Sequence, residues 1–208
     1  MIVILDYGMG NPGSILNMIR KIGGNAIISI DREVIKNATA LILPGVGSFD
    51  NGMTKLLNLD ILDIVKKKVL GDKIPFLGIC LGMQLLFEKS EEGNKPGLGW
   101  IPGEVKRFDF SNPETSKYLK IPHMGWNSIN INSNDLFCEF EDSARFYFVH
   151  SYHVVCANPD HILATTFYGY EFASIVNKDN IWGTQFHPEK SHRYGLLLLN
   201  NFLNSIKC

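Results

Sequence analysis

The stretch Pro75-Phe76-Leu77-Gly78-Ile79-Cys80-Leu81-Gly82 decides the fold, because it predicts an apolar strand that turns at once into a helix. We expect the strand over residues 75–79 and the helix over residues 81–89. Small residues at 78 and 82 suit so sharp a turn, since side chains there would collide with neighbouring backbone. Cys80 would then lie at the carboxyl edge of a sheet, where a helix N-terminus favours its thiolate. The Leu81 N–H would point to where an oxyanion could be held.

The same five residues, 78–82, also fit a purely structural cysteine. A buried cysteine on a strand, with glycines for close packing, would give the same pattern. The pentapeptide alone leaves both interpretations open, so the rest of the chain has to decide between them.

Strands and helices alternate through the first half of the chain, which predicts a mainly parallel sheet with helices on both faces. The strands there are residues 2–5, 26–30, 40–43 and 75–79, and the helices are 14–22, 56–70 and 81–89. The second half is richer in strands, at 105–110, 128–131, 146–149, 161–166, 172–176 and 181–186, before a closing helix at 195–206. We interpret these strands as an antiparallel extension. No linker is visible, so we expect one α/β domain over residues 1–208.

Composition excludes several classes of protein. Hydrophobic residues make up 45% of the 208 residues, charged residues 20%, and the net charge is −1. These values are ordinary for a globular protein and give no positive field to attract nucleic acid or a membrane surface. The N-terminal run 1–5 predicts a strand and not a signal peptide, and no apolar run approaches the ~20 residues that span a bilayer. We therefore expect a cytoplasmic protein.

The cysteines point to reduced thiols and not to a metal site. They are Cys80, Cys138, Cys156 and Cys208, with no CxxC pair and no metal-ligand spacing. Cytoplasmic proteins keep such thiols reduced. We expect no metal, and we expect every cysteine except Cys80 to be inert.

A base for Cys80 is suggested by His187-Pro188-Glu189, which follows the strand at 181–186. Residues two apart on an extended chain point the same way, roughly 6–7 Å apart. One side chain could face the nucleophile while the other orients it. His123, His150 and His153 are the alternatives, with the last two expected on opposite faces of a strand. None of the three is followed by a carboxylate two residues on, which favours His187.

Six segments in order resemble the class I glutamine amidotransferases, and among them the amidotransferase subunits of imidazole glycerol phosphate synthases. The segments are Asp6-Tyr7-Gly8-Met9-Gly10-Asn11, Pro44-Gly45-Val46-Gly47, Gly78-Ile79-Cys80-Leu81-Gly82-Met83-Gln84, Pro122-His123-Met124-Gly125-Trp126-Asn127, Tyr147-Phe148-Val149-His150-Ser151-Tyr152 and Gln185-Phe186-His187-Pro188-Glu189. The resemblance runs from about residue 2 to 203. It implies a flavodoxin-like class I glutaminase fold and a Cys80–His187–Glu189 triad that hydrolyses L-glutamine.

The resemblance also implies roles for other positions. Gly45, Val46 and Gly47 match a loop that completes the oxyanion hole with Leu81 after a peptide rearrangement. Gln84 and Glu92 match residues that hold glutamine, and Ser151 and Tyr152 match the segment whose backbone engages its carboxylate. Asn11, Trp126, Tyr147 and Lys190 match positions that face the partner. Ordinary alternatives stay open: Trp126 as a core residue, and Glu92 and Lys190 as solvated surface charges.

The implied partner is a (β/α)₈ cyclase subunit that receives the ammonia, in a heterodimer that serves histidine biosynthesis without a cofactor. The pair would convert a ribulosyl-formimino intermediate to imidazole glycerol phosphate and an aminoimidazole carboxamide nucleotide. A (β/α)₈ barrel needs ~250 residues, so it has to be a separate polypeptide. Pro12 departs from the pattern, since leucine is commoner after Asn11. Two alternatives are a paralogous amidotransferase serving another synthase, for instance in amidino-sugar formation, and a silent scaffold subunit, against which the intact triad argues.

Overall fold

An eight-stranded sheet runs through the part of the chain that the computed structural model describes, residues 1–111, 119–132, 140–141 and 143–206. The strands are β1 (Ile2–Ile4), β2 (Ala26–Ile28), β3 (Ala40–Gly45), β4 (Phe76–Cys80), β5 (Lys89–Ser90), β6 (Gly103–Arg107), β7 (His123–Ser128), β8 (Asn130–Ile131), β9 (Arg145–His150), β10 (Tyr152–Cys156), β11 (Ile162–Tyr168), β12 (Tyr170–Lys178) and β13 (Ile181–Thr184). The helices are α1 (Pro12–Lys21), α2 (Arg32–Lys36), α3 (Phe49–Leu57), α4 (Leu62–Lys66), α5 (Leu81–Gln84) and α6 (His192–Ser205). A π-helical turn (Lys67–Gly71) follows α4, and 3₁₀ turns lie at Pro159–His161 and Pro188–Lys190.

The strand order is β2-β1-β3-β4-β13-β12-β11-β8. The first five of these strands pair in parallel, and the last three are added antiparallel. This confirms the mainly parallel sheet with an antiparallel extension. Two smaller sheets, β10-β6-β5 and β7-β9, accompany it. That the whole chain is a single domain stays a prediction.

The core lies on both faces of the large sheet, and the alternation within β1 shows why. Ile2 and Ile4 pack with the apolar residues of α1 and α6, whereas Val3 and Leu5 pack with those of α2, α3 and α4. Parallel strands need such crossover helices, which cover the sheet from both sides. The carboxyl ends of β3, β4 and β13 consequently meet at one edge, with Gly45 beside Cys80.

The helix predicted over residues 81–89 is wrong beyond Gln84. The carbonyls of Leu85, Leu86 and Phe87 accept hydrogen bonds from the segment 98–101 at 2.8–3.1 Å instead of continuing the helix.

The helix predicted over 56–70 is also wrong in its bounds. Asp60 has φ of +48°, which a right-handed helix does not allow, so α3 ends before it and α4 begins after it.

The sequence pattern missed several elements, among them the two-residue strand β5. Helix α2 was not predicted, although Asp31 caps it by accepting hydrogen bonds from two backbone N–H groups. Strand β7 and strand β10 were also missed. Helix α1 begins earlier than expected, because Asn11 accepts a hydrogen bond from Ser14 N at 3.1 Å and caps it. Pro12 takes the first helical position, where its missing N–H costs nothing.

No helix among the described residues is long and apolar enough to cross a membrane. Cys138 and Cys208, both expected to be inert, lie outside the described residues.

Candidate active site

Cys80 lies at a strained corner between β4 and α5. Its φ is +53° and its ψ is −109°, a combination that non-glycine residues adopt only when their surroundings impose it. A Cβ on Gly78 would lie 2.7 Å from the Gly82 carbonyl oxygen, and a Cβ on Gly82 would collide with the Leu43 carbonyl oxygen in β3. Both glycines are therefore required for β4 to turn this sharply against β3.

The last residue of β3 packs directly against this corner. A Cβ on Gly45 would lie 2.9 Å from Gly82 N and would meet the Tyr7 hydroxyl. Val46, next in the chain, is 43% exposed, and Gly47 has φ of +107°. Helix α5 is a single turn, so its dipole contributes little and the backbone N–H groups at the corner are the main donors for an oxyanion.

His187 and Glu189 form a buried pair. His187 Nδ1 lies 2.8 Å from Glu189 Oε1, with side chains only 1% and 6% exposed. Strand β13 already ends at Thr184, and the 3₁₀ turn Pro188–Lys190 folds Glu189 back onto the ring. The expectation that an extended chain would bring the pair together is therefore wrong, although the contact itself is present.

The backbone of His187 is anchored to strand β9. Its N–H donates to the Tyr147 carbonyl at 2.9 Å, and its carbonyl accepts from Ser191 Oγ at 2.6 Å. Ser191 Oγ in turn accepts from Tyr147 N at 3.0 Å. Ser191 is fully buried, so this clamp holds the imidazole in place from behind.

The charges around His187 favour its protonated form. Burial lowers the pKa of His187, but the neighbouring Cys80 thiolate and the Glu189 carboxylate outweigh burial and raise that pKa to about 10. Because Nδ1 is committed to Glu189, Nε2 is the nitrogen available to Cys80. The arrangement suits a thiolate–imidazolium pair, the reactive form of a cysteine nucleophile.

A pocket of about 460 Å³ opens in front of Cys80. Its lining joins the loop after β3, the start of α5 and the turn between β9 and β10: Val46, Gly47, Ser48, Cys80, Leu81, Gln84, Glu92, Pro122, Val149, His150, Ser151 and Tyr152. All four residues predicted to hold glutamine are therefore in one cavity with Cys80. Its volume suits a small polar molecule.

Hydrogen bonds fix what two of these residues can offer a ligand. Gln84 Nε2 donates to the Tyr152 carbonyl at 3.0 Å and to Gln185 Oε1 at 3.1 Å, which leaves Gln84 Oε1 as an acceptor. Glu92 Oε2 accepts from Phe49 N at 2.8 Å. Burial raises the pKa of Glu92, against the lowering effect of that bond. Glu92 is thus a half-buried carboxylate in the lining of the pocket, and its role in holding glutamine stays a prediction.

The carbonyls of the turn between β9 and β10 already accept hydrogen bonds within the chain. The Ser151 carbonyl accepts from Phe108 N at 3.1 Å, and the Tyr152 carbonyl accepts from His150 Nδ1 at 2.8 Å as well as from Gln84. A ligand carboxylate at this turn could therefore meet only N–H or hydroxyl donors, which are the groups it needs.

The other predicted candidates for the base are buried and neutral. His150 and His153 both pack against Phe108, with ring centroids 5.2 and 4.8 Å away, because Ser151 interrupts the strand between them. The prediction that they lie on opposite faces is wrong. His123 Nδ1 lies 3.0 Å from His150 Nε2. Burial lowers the pKa of His123 to about 4 and also lowers those of His150 and His153.

A family model described as "Glutamine amidotransferase class-I" matches residues 3–206. The chain belongs to the class I glutamine amidotransferase family. It is 56% identical over 204 residues to the imidazole glycerol phosphate synthase subunit HisH 2 of Methanococcus maripaludis, covering 98% of each chain. It is 47% identical over 204 residues to the subunit HisH of Leptospira interrogans, covering 97% of this chain and 98% of that one.

Solved structures of amidotransferases share the fold. A crystal structure described as glutamine amidotransferase superposes with a TM-score of 0.72 at 19% identity, covering 100% of this chain and 99% of that one. At this identity the likeness concerns the fold alone. Together with the family match, it makes this fold the flavodoxin-like class I glutaminase fold that the sequence predicted.

Three of the residues expected to face a partner of this amidotransferase lie together. Trp126 is 46% exposed and stacks on His192, with ring centroids 5.3 Å apart, so the alternative of a core residue is wrong. Tyr147 pairs with Trp126 across strands β7 and β9, and the exposed Lys190 Nζ lies 5.5 Å above the Tyr147 ring. Asn11, the fourth, is exposed and caps α1.

Sequence reasoning missed Gln185 and Ser191 in this amidotransferase. Gln185 is fully buried and donates from Nε2 to Cys80 Sγ at 3.7 Å. A polar residue at the end of the apolar run 181–186 was the available signal for it. Ser191 had none, because its role depends on the approach of β9 from a distant part of the chain.

Among residues 1–111, 119–132, 140–141 and 143–206 of the amidotransferase, no group of three metal-ligating side chains is close enough to hold an ion. The expectation that the chemistry needs no metal stays a prediction.

Proposed function

We propose that this chain is the glutaminase subunit of an imidazole glycerol phosphate synthase. It hydrolyses glutamine to glutamate and ammonia, and the ammonia serves a cyclase subunit in histidine biosynthesis. The observation that carries the proposal is Cys80 at a strained corner that faces an open pocket, with the buried His187–Glu189 pair beside it. The HisH relatives at 47–56% identity supply the pathway.

The first half of the reaction forms a thioester. The Cys80 thiolate attacks the side-chain amide carbon of glutamine, and the oxyanion that forms is held by the Leu81 N–H and the loop 45–47. His187 then gives its Nε2 proton to the leaving amine, so the carbon–nitrogen bond breaks and ammonia departs. Glu189 keeps the ring in the orientation that this transfer needs.

The second half releases glutamate. His187, now neutral, takes a proton from water, whose oxygen attacks the thioester carbon. The carbon–sulfur bond breaks, and Cys80 leaves as the thiolate. The site returns to the thiolate–imidazolium pair with which it began.

Glutamine would bind with its amide toward Cys80 and its amino-acid end toward the rim. The half-buried Glu92 carboxylate and the Gln84 carbonyl oxygen are acceptors suited to the α-ammonium group. The turn at Ser151 and Tyr152 would offer its donors to the α-carboxylate.

The cyclase subunit would be a (β/α)₈ barrel in a heterodimer with this chain. We place it against the surface cluster of Trp126, Tyr147 and Lys190, because the Tyr147 carbonyl also anchors His187. Met124, 62% exposed on the same strand as Trp126, adds apolar surface there. Since histidine biosynthesis uses metabolites of the cytoplasm, we place the complex in the cytoplasm.

The test is to replace Cys80 in the reconstituted complex. Cys80→Ala and Cys80→Ser should abolish glutamine-dependent synthesis and leave ammonia-dependent synthesis unchanged, because Cys80 acts only on glutamine. Ser174→Ala is a control, since Ser174 is fully buried in the neighbouring strand β12. Glutamine-dependent turnover by either Cys80 variant would refute the assignment.

A second candidate function differs only in the ammonia acceptor. The relative from Methanococcus maripaludis is named HisH 2, and the number 2 suggests more than one such subunit in that organism. This favours a second candidate, a paralogue that serves another synthase. Mixing the chain with the cyclase and its nucleotide substrate, with glutamine as nitrogen source, decides this. Formation of imidazole glycerol phosphate supports the histidine pathway, and glutaminase activity that the cyclase never stimulates supports the alternative.

A further inference from the structure

A chain of side-chain hydrogen bonds ends on the sulfur of Cys80. Gln185, 0% exposed, follows β13 directly and donates from Nε2 to Cys80 Sγ at 3.7 Å. Its Oε1 accepts from Gln84 Nε2 at 3.1 Å. Gln84 Nε2 also donates to the Tyr152 carbonyl at 3.0 Å. Through Gln185, the sulfur is thus connected to a side chain of α5 and to the backbone of β10.

The network leaves the Gln185 amide only one orientation. The Tyr152 carbonyl can only accept, so it fixes the Gln84 nitrogen toward itself. The second N–H of that nitrogen points to Gln185, which has to present its oxygen there. The Gln185 NH₂ group therefore faces Cys80, where it can serve only as a donor.

We propose that Gln185 is a positioning residue for Cys80: it donates a hydrogen bond to the thiolate and holds the sulfur in line with the pocket. The proposal rests on the glutaminase function proposed above. It assigns to a buried amide next to the triad a role distinct from that of His187, which exchanges protons.

The other groups around the sulfur cannot replace this donor. His187 gives up its proton during the reaction. Tyr7, Glu92 and His150 are the further titratable groups near the cavity. Burial raises the pKa of Tyr7 and lowers that of His150, so both stay neutral. The Glu92 carboxylate would repel a thiolate. The Gln185 N–H is unaffected by pH and is present throughout the cycle.

Such a donor would act twice in each turnover. It raises the fraction of Cys80 that is thiolate before the attack, and it stabilises the thiolate again as the leaving group when the thioester is hydrolysed. A charge-assisted hydrogen bond is stronger than a neutral one, so the bond is strongest at these two points of the cycle.

Gln185→Met and Gln185→Glu test the proposal. Methionine has a similar size and no N–H donor, whereas glutamate keeps the shape and the acceptor for Gln84 but puts a carboxylate against the sulfur. The rate of Cys80 alkylation by iodoacetamide is measured against pH on the full chain. We expect the midpoint of this profile to rise by about one pH unit in Gln185→Met, and further in Gln185→Glu. Ser174→Ala, the buried neighbour, should keep the profile of the unaltered chain.

Steady-state kinetics of the reconstituted complex separate positioning from binding. We expect kcat for glutamine to fall about tenfold in Gln185→Met with KM nearly unchanged, while ammonia-dependent synthesis stays at its normal rate. Unshifted alkylation midpoints in both variants would overturn the proposal, as would a change confined to KM. If the methionine variant does not fold, the isosteric glutamate variant decides alone. The alkylation profile needs no glutaminase activity, so a failure of the proposed function would show separately, as an unaltered complex that cannot use glutamine.

Discussion

Replacing Cys80 by alanine should lower the pKa of His187, so that its imidazole becomes neutral at a lower pH. In the intact site, burial lowers the pKa of His187, while the thiolate and Glu189 raise it to about 10. The thiolate comes first among the raising influences, so without it burial is opposed by Glu189 alone. We expect the pKa of His187 to fall toward its ordinary 6.5. A fall from about 10 to 6.5 would correspond to about 5 kcal/mol of interaction between the thiolate and the imidazolium.

The measurement is an NMR titration of the imidazole nitrogens in the two proteins. His123, whose pKa burial lowers to about 4, will not interfere above pH 6. Cys156→Ala is the matched control, because Cys156 is not among the groups that shift the pKa of His187, so its removal should leave the His187 titration as it was. If His187 in Cys80→Ala still loses its proton near pH 10, the thiolate is not what holds the proton, and the resting site is not an ion pair.

Two further predictions concern the thiols and the buried histidines. Brief labelling with a glutamine-mimicking electrophile should modify Cys80 far faster than Cys138, Cys156 or Cys208, since burial raises the pKa of Cys156 to about 12; equal labelling in a peptide map would contradict this. Stability should also fall between pH 6.5 and about 4. Over that range His123 binds a proton in the unfolded chain but not in the folded chain. This difference lowers the free energy of unfolding by up to about 3 kcal/mol. Urea unfolding at pH 7 and pH 4.5 measures this loss, which His123→Phe should reduce.

The parts of the site that follow from local chemistry were predictable from the sequence. The corner at Cys80 needs two glycines at fixed spacing, and the structure shows the collisions that any side chain there would cause. The parallel order of the sheet likewise follows from apolar strands that alternate with helices. Such features depend on residues within a few positions of each other, so one sequence is enough to recognise them.

What depends on distant contacts was not predictable. The carbonyls of residues 85–87 leave the helical pattern only because the segment 98–101 arrives to bond them. Glu189 reaches His187 through a turn whose neighbours, Tyr147 and Ser191, come from β9 and the start of α6. Gln185 stood in a quoted motif, but its orientation is set by Gln84 and Tyr152, which lie far away in the sequence.

The assembled state of the triad indicates where a partner could control this enzyme. In the chain alone Glu189 already lies 2.8 Å from His187, and Gln185 already donates to Cys80. A partner is therefore not needed to form these contacts. The loop after β3 is different: Val46 is 43% exposed, and Gly47 has φ of +107°, so the peptide between them can turn without a steric penalty at the glycine.

An oxyanion donor is worth about 10²–10³ in rate, so the turn of one peptide is large enough to switch the activity. We therefore expect the isolated chain to be a poor glutaminase and the cyclase with its nucleotide ligand to raise the rate by about that factor. Binding of the cyclase would act through Trp126, Tyr147 and Lys190, since Tyr147 also binds the His187 backbone. Glutamine hydrolysis is compared for the chain alone, with the cyclase, and with the cyclase plus nucleotide. Full activity of the chain alone would mean that the loop is a fixed turn and that the peptide at Val46–Gly47 controls nothing.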